Sequence, residues 1–97
     1  MKLVFSHEAD QNLTAIADYI AEESGDTSTA ISFIEKLIRK CGQLSSHSFQ
    51  MGTPRLDLGE DIRSYAYGNY LILFRYTPDT MEVAMIVEGH RDIESLF

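Results

Sequence analysis

Tryptophan is absent from this chain, cysteine occurs once, proline twice, and no apolar run is long enough to span a bilayer. The lone thiol, Cys41, has no second cysteine to pair with, so an internal disulfide and a cysteine-built metal site are both excluded, and a reducing compartment suits it. A transmembrane helix needs about 20 consecutive apolar residues, and none is present. The opening MKLVFSHEAD turns acidic before a signal-peptide core forms, so the chain reads as soluble and cytoplasmic. Positive charge is also scarce: eight Lys and Arg face fifteen Asp and Glu over 97 residues, a net charge of −7. The deficit is even, with four basic and seven acidic residues in 1–50 and four and eight in 51–97. Polyanions are held by surplus cations that release counterions, so this balance argues against extended contact with nucleic acid or an anionic membrane. A local arginine patch stays compatible with it.

What is present is enough apolar material for one small core, 44 % of the chain, including five Tyr and five Phe, and the length fits a single domain over residues 1–97. Lys2 to Phe5 is a short apolar run ended by Ser6, a good N-cap, with Glu8 and Asp10 where a helix's positive end favours acids. Ala9, Leu13, Ile16, Ala17 and Ile20 then recur at three- and four-residue steps, which predicts an amphipathic helix from about Ser6 to Glu23. SGDTS breaks it. A second helix, capped by Thr27 or Ser28, places Ala30, Phe33, Ile34, Leu37, Ile38, Cys41 and Leu44 on one stripe, and the two helices form an antiparallel hairpin. From Gly42 to Pro54 the pattern dissolves into loop residues.

Three strands are expected next. Ile62–Tyr67 and Tyr70–Tyr76 flank Gly68-Asn69, whose leading glycine suits a type II′ turn, and Thr77-Pro78-Asp79-Thr80 leads into Met81–Glu88. A two-residue turn pairs Tyr67 with Tyr70, Tyr65 with Ile72 and Arg63 with Phe74, and a following pairing of Tyr76 with Met81 sets Arg75 opposite Glu82. One sheet face then carries Ile62, Ser64, Ala66, Leu71, Leu73, Ala84 and Ile86 and is expected to receive the helix hairpin. The other carries Tyr65, Tyr67, Tyr70, Ile72, Phe74, Val83, Met85 and Val87. That second apolar face is left either for a partner or for the 45–60 loop and the C-terminal tail to cover. Asp92 reads as the N-cap of a short C-terminal helix, with Leu96 and Phe97 as apolar anchors. The fold class is α+β: a short N-terminal strand, a helix hairpin, a three-stranded antiparallel sheet and a short terminal helix.

This order, with its LTAIADYIAEES helix, the second helix ending KLIRKCGQL, the stretch MGTPRLDLGEDIRSYAYGNYLILFRY and the closing VEGHRDIESLF, resembles the ParE branch of the RelE/ParE toxin superfamily over almost the whole chain. The resemblance implies the toxin of a bacterial type II toxin–antitoxin pair, of a kind that serves plasmid stabilisation and inhibits DNA gyrase by protein–protein binding. It implies a cognate antitoxin as partner, in a toxin–antitoxin hetero-oligomer, and the second sheet face is expected to receive it through the partner-binding residues Tyr65, Tyr70, Phe74 and Met85, with Arg63 supplying a local ion pair. Contacts of that kind are apolar and insensitive to salt. Superfamily members are commonly basic, whereas this chain is acidic.

The same resemblance raises an enzymatic alternative, because RelE-type ribosome-dependent mRNA endoribonucleases gather basic residues around the scissile phosphate. The candidates are Arg63, Arg75, His90 and Arg91. All three lysines fall in the first 40 residues, and acids lie near three of the five arginines in sequence: Asp57 near Arg55, Asp61 near Arg63 and Asp92 beside Arg91. Ion pairing is therefore the competing role for them. His90-Arg91-Asp92 matches the catalytic tripeptide of protein kinases, but a kinase domain is far longer and needs a glycine-rich nucleotide loop. The tripeptide reads as a structural latch. A third alternative is a non-toxic homologue that only binds antitoxin. Cys/His ligand spacing, a phosphate-binding glycine loop and a nucleophile elbow are all missing, so no metal and no cofactor are expected.

Overall fold

The computed structural model describes residues 1–89. The terminal helix expected after Asp92 lies outside the described residues. Ser6 marks the first boundary as expected: it ends β1 (Lys2–Phe5), and its side chain accepts from the Ala9 N–H at 3.0 Å to start α1 (His7–Ser24). Gly25, at φ 67°, closes α1 through a bond from its N–H to the Ala21 carbonyl. The next cap differs from expectation. Asp26, one residue before Thr27, caps α2 (Thr27–Ser46): its Oδ1 accepts from the Ser28 N–H and hydroxyl, and Oδ2 accepts from the Thr29 hydroxyl. A carboxylate can take all three bonds at once, which a hydroxyl at 27 or 28 cannot. The same bonds, led by the Ser28 hydroxyl, hold the Asp26 carboxyl below its usual range.

Helix α2 runs past Gly42, where a loop was expected, and ends at Ser46. A glycine within a helix costs about 1 kcal/mol, an amount that packing overrides. Here Leu44 and Ser45 are buried, and the Ser45 and Ser46 hydroxyls bond back to the carbonyls of Gly42 and Gln43.

The sheet has five strands and mixed pairing rather than three antiparallel ones. β2 (Thr53–Pro54), β3 (Arg63–Tyr67), β4 (Tyr70–Tyr76) and β5 (Thr80–Glu88) join β1 in the order β1-β5-β4-β3-β2. β1 lies parallel to β5, a contact between residues about 80 positions apart that no local pattern announces. The β3–β4 register is the expected one, Tyr67 opposite Tyr70 through Arg63 opposite Phe74, and Gly68 leads its turn at φ 58°. Arg75 faces Glu82 and Tyr76 faces Met81, also as expected.

The faces, however, are reversed. The helices cover the aromatic side: Ala9, Ile16, Leu37, Cys41 and Leu44 pack on Ile72, Phe74, Met81, Val83 and Ile86, with Tyr65, Tyr67, Tyr70 and Tyr76 at the margins. Two helices need a large apolar bed, and only the tyrosine and phenylalanine side provides it. A second break in the pattern comes from a bulge, because Leu73 faces Met85 while Phe74 faces Val83, leaving Ala84 without an opposite residue. Past the extra residue the alternation of β5 flips. Met85 and Val87 therefore join Leu73, Leu71 and Leu58 in a small cluster on the outer face, while Ile86 turns inward.

The bulge is tied down by α1 and its cap. The Ser6 hydroxyl donates to the Ala84 carbonyl at 2.7 Å, and Asn12 Oδ1 accepts from the Ile86 N–H at 3.0 Å. β1 ends opposite Val83, so these two side chains serve the part of the β5 edge that β1 does not reach.

Two glycines separate backbone strain from crowding. At Gly25 (φ +67°) an added Cβ meets nothing within 4 Å, whereas at Gly52 (φ +80°) it would stand 2.8 Å from Phe74 Cζ and 2.8 Å from the Ser64 carbonyl oxygen. Gly25→Ala is expected to cost about 1–2 kcal/mol of stability from left-handed strain alone, and Gly52→Ala roughly 2–5 kcal/mol from strain plus overpacking. Urea denaturation of both variants checks this, and equal losses would contradict the packing described.

Candidate functional site

Arg63 extends from β3 toward the loop that precedes β2, where Nε donates to the Met51 carbonyl at 2.7 Å and Nη2 to the Gly52 carbonyl at 3.0 Å. The guanidinium thus fastens this loop to the sheet. Arg75 stands on the other face, since inward residues of β3 and β4 alternate through Arg63, Tyr65, Ile72 and Phe74, and Arg75 falls out of that phase. Its Nη1 lies 3.9 Å from Asp61 and its Nε 3.5 Å from Glu82. The latter contact is Coulombic only, as the buried Nε makes no hydrogen bond. The side chain is 36 % exposed, so solvent screens both pairs and leaves them little weight in stability. Asp61, expected beside Arg63, serves Arg75 instead.

Arg55 and Asp57 pair as the sequence suggested, through Nε to Oδ1 at 3.0 Å and Nη2 to Oδ2 at 2.8 Å. These bonds hold the Asp57 carboxyl below its usual range. The cation cluster considered for phosphate chemistry is therefore not assembled by Arg63 and Arg75, which occupy opposite faces. His90 and Arg91 lie outside the described residues.

The five residues assigned to partner binding are also divided. Phe74 is 0 % exposed beneath the helices, edge-on to Tyr76 at 5.6 Å between ring centroids. Met85 is buried on the outer face in the cluster with Leu73 and Val87. Tyr65 is half-buried, with the Lys40 ammonium 5.6 Å from its ring centre. Tyr70 is half-buried against Phe33 at 5.7 Å, and its hydroxyl pKa is raised, first by burial and then by the neighbouring Glu88 and Tyr19. Tyr70, Tyr19 and Glu88 belong to a groove of about 380 Å³ between α1 and the edge of β5, with Glu8 and Asn12 also on its wall. Arg63, Tyr65, Tyr70 and Phe74 share the face that the helices cover, and the bulge puts Met85 on the other.

Two positions that the sequence reading passed over organise this region. Tyr76 donates its hydroxyl proton to the Leu44 carbonyl at 3.0 Å and accepts from the Met51 N–H at 3.1 Å, bridging the end of α2 to the loop that Arg63 clamps. Asn12 bonds to β5, and its signal was available: a short amide beside Ala9, Leu13 and Ile16 on an inward helical face needs a buried partner. Cys41 is inert, since burial pushes its thiol up to about 12. Among the described residues no group of His, Cys, Asp and Glu side chains could hold a metal ion, and no helix is long and apolar enough to cross a membrane.

A family model described as "ParE toxin of type II toxin-antitoxin system, parDE" matches residues 3–93. The chain belongs to the ParE toxin family. Within that family's fold, a solved structure of a "Chromosomal ParDE TA system from P. aeruginosa" superposes with a TM-score of 0.78 at 18 % sequence identity, covering 91 % of this chain and 95 % of that one. At that identity the likeness is one of fold. No curated protein sequence matches the chain. ParE membership agrees with the strand, helix hairpin and strand order from which the resemblance was drawn, and it makes an antitoxin the implied partner.

The Tyr76 bridge is open to test. Tyr76→Phe removes the hydroxyl but keeps the ring, and should cost about 1–3 kcal/mol by leaving the Leu44 carbonyl and the Met51 N–H without their partner. Faster amide exchange at Met51 should accompany it. An unchanged urea midpoint together with unchanged exchange would show that the hydroxyl bridges nothing.

Proposed function

We propose that this ParE-family chain is a cytoplasmic toxin that inhibits DNA gyrase by protein–protein binding and is neutralised by a cognate antitoxin in a toxin–antitoxin complex. The observation that carries the reading is the family match over residues 3–93. Two features support a protein target over a phosphate-rich one. The net charge is −7, and Arg63 and Arg75 are each engaged by neighbours on opposite faces instead of converging. A catalytic centre for phosphate chemistry needs several cations aimed at one point. Of the residues assigned to antitoxin contact, Arg63, Tyr65 and Tyr70 keep surface toward solvent, whereas Phe74 and Met85 are buried.

The test is a gyrase supercoiling assay with purified protein, paired with expression in cells. Inhibition in vitro and a DNA-damage response on induction are expected, and both should disappear when antitoxin is co-expressed. No inhibition at high molar excess, with no damage response, would refute the gyrase reading. A halt in protein synthesis on induction, relieved by His90→Ala, would identify a ribosome-dependent endoribonuclease instead, and harmless expression with retained antitoxin binding a non-toxic homologue.

A further inference from the structure

Helix α1 carries five carboxylates and neither lysine nor arginine, and β5 beside it carries two more with no cation either. The groove of about 380 Å³ between them has Glu8 and Glu88 on its wall, and the buried Ile16 and Ile86 among its lining. Contacts between the two elements set its ends: Ser6 reaches Ala84, Asn12 reaches Ile86, and Tyr19 meets Tyr70 and Glu88. Helix and strand thus run the same way, with Glu8 at one end and Glu88 at the other. A rise of about 1.5 Å per residue puts Tyr19 about 16 Å along the helix from Glu8. At the Tyr19 end the groove continues into a recess of about 170 Å³ between Tyr19, Asn69, Tyr70 and Glu88. Among the described residues neither Glu8 nor Glu88 has an ion pair.

Two features besides charge mark this groove. One end is aromatic: Tyr19 is 56 % exposed, and the Tyr70 hydroxyl pKa is raised first by burial and then by Glu88 and Tyr19, which sets both groups beside it. A cation held by tyrosine rings and a carboxylate gains from both. The second feature is a backbone acceptor. Gly89 donates to the Asn69 carbonyl, so in the β4–β5 ladder Leu71 and Val87 bond to each other, while Ile86 and Glu88 turn their N–H and C=O groups away from β4. Asn12 takes the Ile86 N–H, but no described residue donates to the Ile86 carbonyl, although Ile86 is only 2 % exposed. The acceptor of so buried a residue is costly to leave without a donor, and a ligand bearing N–H groups would supply one.

We infer that the α1–β5 groove binds a linear aliphatic polyamine. One terminal ammonium group sits at Glu8, the other at Glu88 against Tyr19 and Tyr70, an N–H meets the Ile86 carbonyl, and the methylenes lie over Ile16 and Ile86. The size fits: an extended chain of nine C–C and C–N bonds, as in spermidine, spans about 11 Å, which leaves reach for the glutamate side chains at both ends. Methylenes between the charges gain from the isoleucine floor, which a hydrated metal ion does not use. A basic polypeptide fits less well. An added strand needs the outward groups of β5, and Ser6 and Asn12 already hold the Ala84 carbonyl and the Ile86 N–H.

The test is calorimetric titration of the full chain with spermidine, with amide shifts mapped in parallel. Saturable binding is expected, with the largest shifts at Asn12, Tyr19, Ile86 and Glu88, and with affinity falling severalfold as salt is raised from about 50 to about 300 mM. Glu8→Gln and Glu88→Gln should each weaken binding about threefold, and Tyr19→Leu, which keeps apolar contact but loses the ring, by about as much. Glu8, Tyr19 and Glu88 are exposed, so these variants keep the fold. Glu35→Gln on α2 should change nothing, and putrescine, too short to reach both carboxylates, should bind more weakly. Absence of saturation, or an equal loss from Glu35→Gln and Glu88→Gln, would overturn the proposal. Displacement of spermidine by an equal concentration of Mg²⁺ would overturn it in favour of diffuse attraction of cations. Tighter binding of an acetylated trilysine amide would overturn it in favour of a basic polypeptide. None of these outcomes bears on gyrase inhibition or on cellular toxicity, so this proposal and the toxin reading fail separately.

Discussion

The bulge at Ala84 in β5 is the constraint on which most of the architecture depends. β5 is the strand that holds the layers together: it pairs in parallel with β1, antiparallel with β4, and receives Ser6 and Asn12 from the start of α1. Before the bulge, Met81 and Val83 point toward the helices; after it, Ile86 does, and Met85 and Val87 point away. One strand thus contributes to both faces. An extra residue in a ladder leaves polar backbone groups without their regular partners, and burial makes that costly. Beyond Val83, where β1 ends, the serine hydroxyl and the asparagine amide oxygen meet the Ala84 carbonyl and the Ile86 N–H on the open edge of β5, so the cap that starts α1 also holds the strand at its irregularity.

The aromatic content of the β3–β4 hairpin follows from what lies over it. Phe33 sits between Tyr67 and Tyr70, Phe74 stands edge-on to Tyr76, and Tyr76 reaches the end of α2 with its hydroxyl. The tyrosines among them are amphipathic enough to close the margins of the core, where one side meets apolar packing and the other meets water or backbone. Arg63 acts in the same place, its aliphatic stem on the sheet and its guanidinium on two carbonyls. Residues that read as a binding face also form the seam between sheet, helix and loop.

Charge is arranged unevenly despite the even count along the chain. Arg55 and Arg75 have acidic partners close by, and Arg63 is spent on backbone carbonyls. Among the described residues Lys36, Arg39 and Lys40 on α2 have no ion pair.

Most of the elements were legible in the sequence through their local signals, β2 and the last turn of α2 excepted. Ser6 as a cap, the helical stripes through Ile16 and Leu37, the Gly68-Asn69 turn and the register from Tyr67 to Met81 all rest on interactions within a few residues or across one tight turn. Gly25 and Gly68 act through their own backbone geometry and Ser6 through its hydroxyl on the Ala9 N–H three residues on, so no distant contact was needed to read them. The family, too, followed from the order of these pieces. The tertiary structure alone decided the rest: which face of the sheet takes the helices, the parallel pairing of β1 with β5, and the phase of β5 beyond Ala84. With both faces apolar, alternation could not choose between them, and the choice fell to volume, since the helix hairpin needs the side bearing Phe74 and the tyrosines. A bulge shifts parity by one residue without altering composition, so Met85 could be placed only by the strand opposite and by the Asn12 amide that bonds to Ile86.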